Sequence, residues 1–448
     1  MCNRLHMSRT YLIVTTDRFI LGLMLFQTLF LFFMLHFYGY YEDTATLSTS
    51  SVVCDPKMNV VKSLPIYVDV VMTFAVQYPP ESFLRFGASL REFCSYRDCL
   101  IIVFVGANDL KNDDIRLIAH TYHMTLLLMH YGEFAPSIWE SVFSFSKRFH
   151  RPVTSSLDFF TQTNTAGYRF GYQLAWMIHY SQQNGSVPLR YMLVTDFRDA
   201  FFQGNLFDRI PSVFEDWTTQ RKKDTTEIRM LHLPHARWET KQDMHRLDQT
   251  ALSVIKYDGA PHRQRPWVMG FPEGRRTSIG KCTYNRAWLA EVYGDGIAEE
   301  LKDGFVICAG TTLGNAAGVL FWLRRLVYEI DLHAQKKHYN SNDQGIHNYL
   351  LHKDQLSGGV DVFLANNEYN SLVVTTGQMT SVRQNVLGFV ETQDGPGLFP
   401  AMIHQFDRIV AVKEGLERKY SLLKKTQLHS YYPHSNAQVR EKRKSHVG

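Results

Sequence analysis

The hydrophobic pattern begins with one long apolar run. Phe19 to Tyr38 reads FILGLMLFQTLFLFFMLHFY, uncharged, with Gln27, Thr28 and His36 as its polar interruptions. About 20 such residues, rising 1.5 Å each, cross a hydrocarbon core and close their backbone hydrogen bonds internally. Residues 43 to 64 are Ser/Thr-rich and lose any period, as in a linker. Past residue 64 the apolar runs become short and regular. Tyr67 to Val76, Cys99 to Val105 and Met124 to Met129 predict buried strands. Between them, Phe83, Leu84, Gly87, Leu90 and Phe93, then Ile115, Leu117, Ile118 and Tyr122, recur at helical spacing.

The order is β-α-β-α-β. Apolar strands alternating with amphipathic helices predict an α/β fold with a mostly parallel sheet covered on both faces. A further helix carries Tyr168, Leu174, Ala175, Met177 and Ile178, and a fourth strand, Tyr191 to Thr195, follows. Residues 216 to 280 are polar and irregular and read as an insertion over or around a site. Apolar texture returns at Ala287 to Tyr293, Phe305 to Cys308 and Gly318 to Ile330. No G-x-G-x-x-G follows the first strand, so the dinucleotide fingerprint is absent.

The flanks of the apolar run set an orientation. Arg4, Arg9 and Arg18 precede it, and Glu42 and Asp43 follow. That bias predicts a cytosolic tail over 1–18, an anchor over 19–41 and a stem over 42–64. A main domain is then expected over 65–415, with a basic polar tail over 416–448. The run exceeds a usual signal-peptide core and lacks a nearby small-x-small cleavage site, so an uncleaved single-pass type II anchor is expected. The net charge of +5 is spread along the chain, without the basic stripe of a nucleic-acid binder. Cys54, Cys94, Cys99, Cys282 and Cys308 would all face an oxidising lumen. Cys94 with Cys99, and Cys282 with Cys308, are candidate pairs, with Cys54 left over near the anchor, where it could join two chains as a homodimer. Asn184-Gly185-Ser186 is a sequon in a polar loop.

Chemistry concentrates where the fourth strand ends. The segment YMLVTDFRDAFF puts Asp196 and Asp199 just beyond the apolar strand. Ligands of open α/β sheets bind outside the carboxyl ends of strands, and paired carboxylates are hard oxygen ligands for Mg²⁺ or Mn²⁺. Further along, Phe305 to Gly314 (FVICAGTTLG) predicts a strand entering a small-residue turn at Gly310, Thr311, Thr312 and Gly314. Such a turn would let backbone approach a ligand. Asn342-Asp343-Gln344 then stands at a helix start, with His347 nearby. Arg169, on the helix before the fourth strand, reads either as a diphosphate contact or as a solvated arginine.

Taken in order, these motifs resemble the GT-A glycosyltransferases, and especially the D-x-x-D type found in the glycosyltransferase domains of collagen lysyl hydroxylases. The resemblance spans about residues 65 to 410 as scattered motifs. It implies a GT-A-like, Rossmann-type fold behind the single N-terminal transmembrane helix. It implies metal ligation by Asp196, Asp199 and His404, the last in AMIHQFDR. Asp343 and Gln344 would be catalytic, and Arg169, Thr195, Gly310 and Thr311 would line the nucleotide-sugar. Asn342 departs from the type, which carries a second acid there.

The expected activity is metal-dependent transfer of a hexose or N-acetylhexosamine from a nucleotide-sugar, such as a UDP-sugar, with Mn²⁺ or Mg²⁺. The acceptor would be a glycan, glycoprotein or glycolipid in the Golgi, or ER, lumen. The resemblance leans toward retention at the anomeric carbon. A non-catalytic glycan-binding protein on the same fold is the alternative. A serine hydrolase is disfavoured by the lack of a G-x-S-x-G elbow.

Overall fold

The computed structural model describes residues 67–148, 165–183, 186–212, 266–273, 277–334, 343–353, 356, 360–365, 372–377, 379, 382–385, 388–391 and 399–431. The expected anchor, stem, Cys54, Asn184-Gly185, Asn342 and the terminal residues 432–448 lie outside them. Among the described residues, no helix is long and apolar enough to cross a membrane.

A seven-stranded mixed sheet forms the centre. Its strands are β1 (Val68–Ala75), β2 (Cys99–Val105), β3 (Met124–Leu128), β4 (Leu189–Asp196), β6 (Trp267–Pro272), β7 (Ile307–Asn315) and β8 (Asp361–Leu364), in the order β3-β2-β1-β4-β7-β6-β8. All run in one sense except β7, which is antiparallel to both β4 and β6. Helices cover both faces, as the apolar strands require. One face carries Val70, Met72, Phe104, Met192 and Val194. It packs against α3 (Pro136–Arg148), α4 (Thr165–Gln182), α6 (Ala316–Ala334) and α7 (Asp343–His352). The other carries Val71, Val103, Leu193 and Met269, against α1 (Pro80–Arg91) and α2 (Asp113–Thr121). Adjacent strand residues point to opposite faces, so one run such as VDVVM feeds both cores. Helix α5 (Thr283–Tyr293) packs beside α7.

A smaller sheet joins β5 (Ala200–Phe202), β9 (Val373–Thr375) and β12 (Met402–His404), with β12 in the middle. The two-stranded ribbon of β10 (Arg383–Gln384) and β11 (Val390–Glu391) is tied to it by Gln203. That amide bonds both the N–H and the C=O of Val390. Helix α8 (Val410–Tyr431) leaves this layer and packs on α1. It carries regular structure past residue 415, into the segment read as tail.

Three sequence expectations are corrected. First, Gly310 to Gly314 is not a turn but the interior of β7, buried throughout. The glycines mark close approach, not chain reversal: a Cβ at Gly314 would meet the Trp267 carbonyl oxygen at 2.5 Å. Second, β6 lies inside the segment read as irregular insertion. Its Gly270 and Pro272 dilute the β signal, yet all six of its residues are buried. Third, neither the Cys94–Cys99 nor the Cys282–Cys308 disulfide forms. Cys282 Sγ accepts from Asn285 Nδ2 at 3.2 Å, and Cys308 Sγ lies 3.6 Å from His404 Nδ1. Each belongs to a different polar group, which spacing alone could not reveal.

Candidate functional site

Strand β4 delivers Asp196 to the carboxyl edge of the sheet as its last residue. Phe197, fully buried, then pins the turn. Its ring lies 4.6 Å from that of Phe83 and 4.8 Å from that of Phe86, both on α1. Three residues after Phe197 the chain enters β5, whose Ala200 pairs with His404 of β12. That antiparallel register, with Phe406 N–H bonding the Asp199 carbonyl at 3.3 Å, brings His404 beside both aspartates.

His404 Nε2 lies 3.5 Å from Asp196 Oδ2 and 3.5 Å from Asp199 Oδ1. Each of the three residues offers one ligand atom, all within 4.8 Å of one another. His404 is fully buried, Asp199 is buried, and the Asp196 carboxylate is about a third exposed, at the mouth. The set fits a divalent cation on three grounds. Two carboxylate oxygens and an imidazole nitrogen suit Mn²⁺, Mg²⁺ or Zn²⁺. His404 Nε2 is buried without a hydrogen-bond partner. Gly310, in β7 under the cluster, leaves the space clear: a Cβ there would overlap Asp196 and come within 2.8 Å of His404 Cε1.

The electrostatics agree. Burial raises the cost of charge on Asp196, but Arg169 and His404 outweigh it and hold the carboxyl below its usual range. Burial likewise disfavours the His404 imidazolium, yet Cys308, Asp199 and Asp196 push its pKa well above the ordinary value. The pocket therefore demands positive charge, which a proton on His404 or a cation on neutral imidazole would supply equally. Cys308 sits at the Nδ1 side, where the second nitrogen of a ligating histidine commonly finds a partner. Burial pushes its thiol up to about 12.

Around the cluster the polar side chains form a closed ring. Arg169 spans from Asp196 Oδ1, at 2.5 Å, to Asp343 Oδ2, at 2.7 Å. Gln344, next in chain, donates to Glu273 Oε1 at 2.9 Å. Gln405 Nε2 reaches the same oxygen at 3.5 Å and the Cys308 sulfur at 3.8 Å. Gln405 adjoins His404, which closes the ring. Arg169 is thus neither solvated nor free: burial opposes its charge, but Asp196 and Asp343 keep it protonated. Asp343 is driven the other way, its carboxyl raised by burial first, with Arg169 opposing and Asp196 adding.

Of the residues singled out in the sequence, Asp196, Asp199, His404, Arg169, Asp343 and Gln344 meet in this ring, with Gly310 under it. Thr195 and Thr311 do not join it. They pair across β4 and β7, their hydroxyls 3.5 Å apart and buried on the opposite face. Glu273, Gln405 and Tyr78 escaped the sequence reading, which took Cys308 only as half of a disulfide. Glu273 directly follows β6, so its place at the edge depended on finding that strand. Gln405 holds φ +60°, a left-handed backbone uncommon outside glycine. Tyr78, just past β1, stacks on Phe197 at 6.1 Å, and burial raises its phenol.

No protein-family model and no curated protein matches the sequence. Among solved structures, the chain is similar to the galactosyltransferase LgtC in complex with donor and acceptor sugar analogs. The identity is 11%, over 75% of this chain and 86% of that one, with a TM-score of 0.32. An active-site mutant of LgtC matches at 11% identity over the same shares, with a TM-score of 0.33. A likeness this distant says nothing by itself about activity.

Proposed function

We propose that the chain is a metal-dependent glycosyltransferase that moves a sugar from a nucleoside diphosphate to a hydroxyl acceptor. The observation that carries this reading is the Asp196–Asp199–His404 cluster at the carboxyl edge of the sheet, closed into a ring by Arg169 and Asp343. Those three side chains would hold the cation, which would supply positive charge against a departing diphosphate.

The remaining roles follow from placement. Transfer breaks the bond between the anomeric carbon and the diphosphate oxygen, which keeps the electron pair. It forms a bond to the acceptor oxygen, whose proton is released. Arg169 fixes Asp196 and Asp343 relative to each other and holds Asp196 charged within a poorly hydrated wall. Asp343, on the rim, orients a hydroxyl of the bound sugar or acceptor. Gln344 presents its amide to the same space. Tyr78, half-buried beside the D-x-x-D turn, offers an aromatic face to a base.

The finer reading extends the sequence expectations. The donor is a UDP-hexose or UDP-N-acetylhexosamine, and the acceptor is a glycan on protein or lipid. Residues 19–41 anchor the chain as a single-pass type II protein with its catalytic part in the Golgi lumen. Purified protein, given a panel of nucleotide-sugars, should release or transfer sugar only with Mn²⁺ or Mg²⁺. A protein that binds glycans but turns over no nucleotide-sugar would be the lectin alternative instead.

A further inference from the structure

We infer that Glu273 and Asn285 are positioning residues that fix which end of the Gln344 amide faces substrate, so that its carbonyl oxygen and not its N–H group lines the cleft. The inference rests on the glycosyltransferase reading for its consequence, but not for its geometry.

Gln344 Nε2 donates to Glu273 Oε1 at 2.9 Å and to Asn285 Oδ1 at 3.0 Å. An amide nitrogen carries two hydrogens, so both are committed. Each acceptor has a defined sense. A carboxylate accepts only, and Asn285 turns its own Nδ2 toward the Cys282 sulfur at 3.2 Å, which leaves its oxygen for Gln344. Rotating the Gln344 amide by half a turn would aim its carbonyl oxygen at a buried carboxylate and orphan Asn285. Both acceptors are themselves buried, where such a mismatch is most costly.

The backbone below is held equally firmly. Asn348 Nδ2 donates to the Gln344 carbonyl at 2.8 Å and to the Ile307 carbonyl at 2.9 Å, while its Oδ1 accepts from Ile307 N–H at 2.8 Å. Helix α7 is thereby stitched to β7 one residue ahead of Cys308. Gly345 lets α5 approach: a Cβ there would meet the Trp288 carbonyl oxygen at 2.8 Å. The start of α7 is therefore fixed in position, and Glu273 with Asn285 fixes its polarity. An oxygen so oriented serves a partner that is a donor or carries positive charge. Positive charge develops on a sugar carbon as its leaving group departs. Such a contact strengthens in the transition state and shows in kcat more than in KM.

The test uses the full-length chain labelled with ¹⁵N-glutamine, the Gln344 side-chain signal being assigned by its loss in Gln344→Glu. Its two amide protons should exchange at least tenfold more slowly than those of an exposed glutamine. Glu273→Leu should bring them to the exposed rate. Asn285→Asp, which keeps an acceptor, should leave them slow. In transfer assays Glu273→Leu and Asn285→Leu should each lower kcat at least tenfold with donor KM within threefold, and Asn285→Asp should restore kcat to within threefold of wild type. Rapid exchange in the wild type overturns the inference regardless of any variant's folding, as does a change confined to KM. If slow exchange is found but no nucleotide-sugar is turned over, the amide lock stands and the glycosyltransferase reading falls.

Discussion

Gly310 lies directly under His404, so that a single methyl group on the glycine would come within 2.8 Å of the imidazole Cε1 and overlap the Asp196 carboxylate. The strand that carries Gly310 is fully buried, and the space above it is kept clear by the absence of a side chain. Gly310→Ala is therefore expected to abolish divalent-metal binding while the sheet still forms. Calorimetric titration with Mn²⁺, alongside a thermal melt, checks it. Unchanged metal affinity would mean the cluster does not bind where the geometry puts it.

Arg169 serves two acids with one guanidinium, and a lysine cannot reproduce that fork. Arg169→Lys should lower kcat/KM by about 10- to 100-fold, or about 1.4 to 2.7 kcal/mol of transition-state stabilisation. Arg169→Ala should do worse and also lower stability, because the partly exposed Asp196 and the more enclosed Asp343 both lose their partner. Urea unfolding of both variants separates the effects. Equal stability for the two would contradict the bridging role.

Phe197 ties the D-x-x-D turn to α1 through Phe83 and Phe86. Phe197→Ala should cost about 3–5 kcal/mol by the general cost of emptying such a site. It should also weaken metal binding by loosening Asp199. Full metal affinity in a destabilised variant would show that β5 alone holds the turn.

His347 is fully buried on α7, accepting at Nδ1 from Trp322 Nε1 at 3.2 Å. Burial first, then His352 and Arg169, lowers its pKa from 6.5 to about 3. The unfolded chain then takes up a proton near pH 6.5 that the folded chain refuses until about pH 3. Between those limits the unfolded state binds more protons, so stability falls as pH falls, by up to about 1.4 kcal/mol per pH unit from this group. Chemical denaturation across that window should show the slope, and His347→Gln should flatten it. An unaltered slope in the variant would assign the effect elsewhere.

The sequence was most legible where chemical type and strand position coincide. Asp196 and Asp199 stand out because two acids end an apolar strand. The first three strands stand out because both of their faces are covered. Glu273 was hidden because β6 contains Gly270 and Pro272 and follows a long polar stretch, so its period could not be recognised. The Gly310–Gly314 run looked like a turn because glycine and threonine serve turns and tight strand contacts alike, and only neighbouring backbones distinguish them. Arg169 showed its charge but not its partners, since Asp343 lies 174 residues away in sequence. Cysteine spacing misled for the same reason: nothing local encodes that Cys308 faces His404.

The most direct test is a calorimetric titration of UDP into the purified chain, with Mn²⁺ and then with excess chelator, for wild type and Asp199→Ala. The wild type should bind UDP with Mn²⁺ and lose most of that affinity in chelator, and Asp199→Ala should show the weak affinity in both. Equal UDP affinity in all four titrations, or none in any, would contradict the proposed metal-dependent diphosphate site.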